Sequence, residues 1–381
     1  MDTQNTVESI AVREGQKTDA WYRSATALDN RLDVADALHN AGFSFKYEPV
    51  PLFYNDPDWL GAPTQSKYSK AIMRVNADSS TKELAGCGSV WTGKGHQPSD
   101  VIRFFQAVSD NTKLQFEAAA VVDDGRGLFA IARVPTDTER HLRMVRKGAS
   151  MPVGEEVHMY VAFAIYINRK TRIFTEATLP ACWNSWRTYM YKHGSDKRET
   201  LTWSHHRPLP VEQAIEAVKS LDFFAGPMRE AQRMMDRAMS TAQVREYYRT
   251  VLMANAATIY QVKKSLCTFA DFQSPRASDD RRWTDVKKAA FERDLTTLGN
   301  IYTDGEGQSL DCRRDNLWGA FNGFIYWTDH VKRSRGQREI NPVTNKSETI
   351  PGSDRLGRMY SLLHGPLAKL KESAHHIAMV T

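Results

Sequence analysis

The densest run of chemically useful side chains lies between residues 182 and 207. Cys182-Trp183-Asn184-Ser185-Trp186-Arg187-Thr188-Tyr189-Met190-Tyr191-Lys192-His193 interleaves aromatic and cationic residues, and Thr202-Trp203-Ser204-His205-His206-Arg207 follows. Flat rings that stack on bases, set among cations that meet phosphates, are what a single-strand nucleic-acid binder needs. Each stacked base contributes about 1–3 kcal/mol, and each neutralised phosphate makes binding salt-dependent. The spacing has a second reading. Trp183, Trp186 and Met190 fall at i, i+3 and i+7, one apolar face of a helix and hence core. Arg187 and Lys192 fit an exposed face better.

Other constellations are weaker. Gly88-Ser-Val-Trp-Thr-Gly93-Lys94-Gly95 follows an extended run and carries a lysine where a phosphate-binding loop would. Gly95, however, stands where Ser or Thr would ligate Mg²⁺, and Pro98 interrupts the helix start. The segment reads better as a Gly-rich turn. His205-His206 and His375-His376 are adjacent pairs whose members point apart on a helix or a strand. No HExxH or His/Asp cluster at ligand spacing appears, so no metal is expected. Asp123-Asp124 and Asp279-Asp280 sit in turn-forming stretches, GxSxG is absent, and no cysteine has a histidine partner at local spacing. No catalytic constellation and no cofactor are expected; a nuclease or transferase is the least favoured reading.

The elements that position these residues follow from periodicity and turn chemistry. Apolar Leu32, Ala35, Leu38 and Ala41 have helical spacing and end at Gly42. Ser69–Asn76 and Leu84–Trp91 read as strands joined across Asp78–Thr81. Pro98-Ser99-Asp100 caps a helix over Val101–Ser109. The clearest hairpin pairs Gln115–Val122 with Leu128–Val134 across Asp123-Asp124-Gly125-Arg126-Gly127. Glu156–Asn168 is β-branched and aromatic and pairs with Arg172–Thr178 across Arg169-Lys170-Thr171. From Pro210 the pattern turns helical: Val211–Leu221, Ala225–Met239, Thr241–Cys267, Asp285–Asn300, Leu317–Arg333, and Asp354–Met379 interrupted by Pro366. Pro275–Asp280 reads as a break. The expected class is α+β, with a twisted antiparallel sheet and β-hairpins in the first half and a helical second half. The expected divisions are a flexible arm over 1–27, a sheet domain over 28–209, a helical region packing on the sheet over 210–340, and a loop with a C-terminal helix over 341–381.

Composition bounds the function classes. The 381 residues are 41% hydrophobic and 25% charged, a globular balance. Mean hydropathy is −0.52, and no apolar run reaches membrane-spanning length. The opening stretch lacks a secretory leader, and four scattered cysteines form no CxxC pair, so a cytoplasmic protein without a membrane partner is expected. Charge is polarised: residues 1–60 hold five Lys/Arg against ten Asp/Glu, and residues 133–207 hold thirteen against seven. Such asymmetry suits a polyanion-facing surface, and equally head-to-tail self-association.

Several segments in order resemble one family. They are Asp33–Pro49, Lys70–Arg74, Gly88–Asp100, Leu128–Pro135, Thr178–Trp186, Leu201–Arg207 and Asn316–His330 (NLWGAFNGFIYWTDH). Together they are similar to the phage/plasmid-like protein family of unknown function (domain of unknown function nine hundred and thirty-two), over roughly residues 30–335. The last segment is the most specific. Where the family commonly has Asn-Ser-His-Asp-Gly between two strands, this chain has Ile167-Asn168-Arg169-Lys170-Thr171, and Pro180-Ala181 replace its Val-Val. The resemblance implies a phage, prophage or plasmid origin and carries no established activity. By fold-level analogy the layout is similar to phage single-strand annealing proteins, which form rings or filaments on DNA.

The leading expectation is a non-enzymatic protein of phage DNA metabolism that binds single-stranded DNA for annealing or recombination, as a homo-oligomer. Lys94, Arg126, Arg133, Arg169, Lys170, Arg172, Arg187, Lys192 and Arg207 would meet phosphates; Trp183, Trp203 and His205 would stack on bases. The alternative is a phage structural or host-interaction protein that self-assembles without nucleic acid. Trp318, Asn322, Trp327 and His330 would then be interface or core residues.

Overall fold

The computed structural model describes residues 10–13, 26–29, 32–54, 62–77, 82–89, 95–112, 114–122, 125–134, 157–167, 171–179, 184–188, 190–192, 198–199, 201–205, 207–219, 221–222, 225–258, 285–332, 338–340, 347–349 and 366–380. In chain order the strands are β1 (Ile10–Arg13), β2 (Thr26–Leu28), β3 (Phe45–Tyr54), β4 (Thr64–Asn76), β5 (Lys82–Ser89), β6 (Gln115–Val122), β7 (Gly127–Arg133), β8 (His158–Tyr166), β9 (Thr171–Leu179), β10 (Asn184–Thr188), β11 (Met190–Lys192), β12 (Arg198–Glu199), β13 (Leu201–Trp203), β14 (Leu221–Asp222), β15 (Arg338–Ile340) and β16 (Ser347–Thr349). The helices are α1 (Val34–Leu38), α2 (Pro98–Asn111), α3 (Val211–Lys219), α4 (Ala225–Met235), α5 (Thr241–Thr258), α6 (Asp285–Asp304), α7 (Leu317–Tyr326) and α8 (Pro366–Val380). The class is α+β, with strands mainly in the first half and helices later.

The main sheet has eight strands in the order β10-β9-β8-β7-β6-β1-β2, and β13 also pairs with β9. Its neighbours are antiparallel except β1 and β2, which are parallel. Two of its hairpins are those read from the turns: Val122 pairs with Gly127 across Gly125, and β8 returns as β9. Both faces are buried, which is why these strands read as near-continuous apolar runs. Phe163 on one face meets Phe104 of α2 with ring centroids 4.9 Å apart. On the other face Ala118, Phe129, Ile131, Tyr160 and Phe174 cluster with Leu367 of α8.

A smaller sheet, β3-β4-β5, docks beside this one. Gln97, just before α2, ties it down: the Tyr47 N–H donates to Gln97 Oε1 at 2.9 Å, and Gln97 Nε2 donates to the Tyr47 carbonyl at 3.2 Å. Pro98 opens α2 as its first residue, where a missing N–H costs nothing. Asp100 accepts from the Gln97 N–H at 2.8 Å.

In the helical half α7 is the central element, with every residue from Leu317 to Ile325 buried. Asn316 caps it by accepting from the Gly319 N–H at 2.9 Å. A Cβ on Gly319 would lie 1.8 Å from the Arg313 carbonyl oxygen, and one on Gly323 would lie 2.6 Å from the Tyr248 hydroxyl. These glycines let neighbouring segments approach the helix, so the Asn316–His330 signature is packing chemistry in this fold. Among the described residues, no helix is long and apolar enough to cross a membrane.

Three expectations change. Within the expected arm Ile10–Arg13 is a strand, its Ile10–Val12 backbone paired with Ala118–Ala120, and Thr26–Leu28 straddles the arm's expected end; residues 1–9 and 14–25 lie outside the described residues. Trp186 and Met190 do not share a helical face, since 184–188 and 190–192 are strands, and Trp183 lies outside the described residues. Thr241–Cys267 is helical as far as Thr258, and its remainder lies outside the described residues.

Candidate nucleic-acid interface

One end of the main sheet gathers cations from three separate stretches of chain. Gly125 in the β6–β7 turn has φ +76°, a conformation that favours glycine. Next to it, the Arg126 carbonyl accepts from the Ile167 N–H at 3.0 Å, fixing this turn to the end of β8. His205 meets the Tyr166 carbonyl at 3.1 Å through Nε2, and that brings Arg207 to the same end.

The third cation, Arg74, comes from β4 in the smaller sheet. Its guanidinium carbon sits 4.4 Å from the centroid of the Phe45 ring, a cation–π contact. Its Cδ and Nη1 lie 2.8 Å from the point a Cβ on Gly125 would occupy. The Tyr47 hydroxyl donates to the Gly125 carbonyl at 2.5 Å. Burial pushes the Tyr47 phenol up, with Arg74 opposing, so it stays protonated and donates. Arg74 thus joins the small sheet to the hairpin turn of the large one.

Among the described residues, none of Arg74, Arg126 and Arg207 has a carboxylate within ion-pair distance, and the Nε donors of Arg74 and Arg126 are buried with no acceptor. Some cations elsewhere are paired. Arg103 pairs with Glu212 at 3.0 Å and Lys46 with Glu48 at 2.6 Å. Beneath the arginines lies a pair of buried imidazoles. The His96 and His205 rings are 4.6 Å apart, and His96 Nδ1 meets the Thr171 hydroxyl at 2.5 Å. Burial pulls His96 down to about 4, with the Arg207 backbone opposing weakly.

The remaining sequence-derived contacts do not form one track. Arg133 lies at the opposite end of β7, its Nη2 3.0 Å from His158 Nε2. At 3.3 Å per residue that is roughly 20 Å from Arg126. Arg172 is half-buried at the start of β9, next to Thr171 and opposite Ala164 and Thr202, so it lies toward the same sheet end as Arg126 and Arg207. The Arg187 backbone on β10 pairs with Glu176, and the Lys192 backbone belongs to the separate β12-β11-β14 sheet. Trp203 is half-buried against the core. His205 is 8% exposed with its ring against His96, so it is not an open stacking platform, which corrects that expectation. Lys94, Arg169, Lys170 and Trp183 lie outside the described residues.

A buried ion pair and a buried histidine–carboxylate contact in the helical half were not anticipated. Lys371 meets Asp329 at 2.6 Å and His375 meets Glu230 at 2.8 Å, all four side chains almost wholly buried. Lys371 and His375 are one turn apart on α8, so these contacts fasten that helix to α4 and to the turn after α7. No group of three or more His, Cys, Asp or Glu residues is placed to hold a metal among the described residues. No protein-family profile matches the sequence, and no curated protein or solved structure matches it either.

Proposed function

We propose that this chain is a phage- or plasmid-type DNA-metabolism protein that binds single-stranded nucleic acid as a homo-oligomer, without itself catalysing a reaction. The observation that carries the reading is the meeting of Arg74, Arg126 and Arg207 at one sheet end with no carboxylate neutralising them among the described residues. Unpaired guanidiniums drawn from three segments suit a strand whose charge repeats along its length, because each phosphate displaced from its counterions adds affinity. The resemblance of Asn316–His330 to the phage/plasmid-like family supports the origin. Annealing would need only alignment and charge neutralisation, hence no cofactor.

The test is a fluorescence-anisotropy titration of a labelled oligothymidylate at about 50 and about 200 mM salt. Binding that weakens steeply with salt, and weakens again when Arg74, Arg126 and Arg207 are all replaced by Ala, is the expected result. Flat curves at both salts end the proposal. Exposed Phe53, Tyr54 and Leu84 on the smaller sheet (56%, 54% and 57% exposed) favour a second reading, self-assembly without nucleic acid. A salt-insensitive oligomer with a protein-like 260/280 ratio supports that one.

A further inference from the structure

The outer face of α4 carries a row of arginines. Arg229 and Arg233 are exposed on successive turns of the helix, and Arg237 follows one turn later, half-buried. The winding continues past Met235: the Asp236 N–H donates to the Gln232 carbonyl at 2.9 Å, and the Arg237 N–H to the Met234 carbonyl at 3.4 Å. At 1.5 Å of rise per residue the three arginines recur about every 6 Å. Among the described residues none of the three has a carboxylate within ion-pair distance. Nearby cations of the helical half differ, since Arg245 of α5 reaches Glu292 at 3.8 Å, Arg249 reaches Glu246 at 3.8 Å, and Arg314 reaches Asp311 at 3.5 Å. The exposed acid of this stretch, Asp236, accepts instead from Gln232 Nε2 at 2.8 Å.

Holding the helix in place does not require these side chains. Ala231, Met234 and Met235 bury its inner face, and Glu230 meets His375. The Arg237 carbonyl accepts from the Leu317 N–H at 2.9 Å, and the Met239 N–H donates to the Asp315 carbonyl at 2.9 Å, which fixes this end of α4 to the start of α7. The helix dipole favours a cation in the last turn, where Arg233 sits, but gives Arg229 nothing one turn earlier. A braced helix thus presents charge to solvent at a set interval. A nucleic-acid strand carries one phosphate per nucleotide, about 3.4 Å of axis when its bases stack as in a duplex and more when it is extended. Charges about 6 Å apart suit successive phosphates of an extended strand. Guanidiniums also take phosphate oxygens two at a time.

We infer that Arg229, Arg233 and Arg237 form a second contact surface for a single strand, each meeting a phosphate along the outer face of α4. The inference rests on the nucleic-acid reading and adds to it a surface on the helical half.

The experiment is an anisotropy titration of a labelled oligothymidylate at several salt concentrations. It compares the wild type with Arg229→Gln/Arg233→Gln/Arg237→Gln and with a charge-matched control, Arg245→Gln/Arg249→Gln/Arg293→Gln. Each lost single-strand contact removes about 0.7 from the log–log salt slope, so the α4 variant should lose about 2 in slope and about a hundredfold in affinity at about 0.1 M salt. The control should keep the wild-type slope. Wild-type binding with an unchanged slope in the α4 variant overturns the inference and leaves the nucleic-acid reading standing; no wild-type binding ends both. An equal loss in the control reduces the effect to net charge and overturns the surface. Displacement by polyglutamate as readily as by unlabelled oligothymidylate reassigns it to an acidic protein partner and likewise overturns it. Should the triple variant fail to fold, phenylglyoxal labelling of the wild type, read by mass spectrometry, decides. Protection of Arg229 and Arg233 by the oligonucleotide upholds the surface, and unprotected side chains overturn it.

Discussion

Acid should loosen this protein through His96 before most of its carboxylates are protonated. The ring is fully buried, its pKa falls from 6.5 to about 4, and burial is the main cause. Because the folded value is depressed, the unfolded chain binds more protons between those two pH values, and stability rises with pH across that window. The contribution is whole above about pH 6.5, shrinks as pH falls, and is gone below about pH 4. At 1.36 kcal/mol per unit the full loss is about 3 kcal/mol, of which about 2 kcal/mol is lost by pH 5. The assay is urea unfolding followed by tryptophan fluorescence, on the wild type and on His96→Gln, from about pH 7.5 to about pH 4.5. Glutamine can still meet the Thr171 hydroxyl but cannot titrate in this range. The wild type starts more stable, since it keeps the ring contact with His205, and its advantage narrows by about 2 kcal/mol by pH 5. A constant offset between the two proteins across the window refutes the argument, and an advantage that widens reverses its sign.

Other perturbations have defined outcomes. Gly319→Ala drives a Cβ into the Arg313 carbonyl, a backbone atom that cannot swing aside, so soluble protein is expected to be lost or thermal unfolding lowered by several kcal/mol of stability. Lys371→Met removes the ammonium that neutralises buried Asp329 at a cost of about 3–5 kcal/mol, and adding Asp329→Leu should recover most of it in a double-mutant cycle by chemical denaturation. Gly125→Ala forces alanine into φ +76° and displaces Arg74; about 1–2 kcal/mol of stability should go, with weaker oligonucleotide binding by anisotropy. Replacing Arg74, Arg126 and Arg207 together should flatten the log–log salt slope by about 2, since a single-strand contact contributes about 0.7 each.

The β6–β7 and β8–β9 hairpins were legible because Gly-, Asp- and Arg-rich turns separate long apolar runs, and the register follows directly from such turns. The helical half was legible from apolar spacing. β3 was not, because Pro49 and Pro51 sit inside it and proline argues against a central strand; it is an edge strand, where proline is tolerated. Residues 184–192 misled because i, i+3, i+7 spacing among aromatic residues fits a helix, whereas pairing with Glu176 and its neighbours on β9 decided for a strand. His205 looked available beside Arg207, yet its burial depends on His96, more than a hundred residues away in sequence. Arg74 could not be singled out from its surroundings in the chain, as nothing near it in sequence announces Phe45 or Gly125. The Lys371–Asp329 and His375–Glu230 contacts were hidden for a similar reason, since charged residues on a terminal helix read as solvated until tertiary packing encloses them.

The prolines of β3 have a further effect. Tyr47 turns its N–H and carbonyl away from β4, where Gln97 takes both, and Pro49 and Pro51 share its parity along the strand. Both backbone donors that would follow on that flank are therefore abolished by the residue type itself. The three-stranded sheet is sealed along β3, and among the described residues its opposite margin, β5, has no such stopper. Any chain that lengthens this sheet by strand pairing must arrive from the β5 side, which gives accretion a polarity.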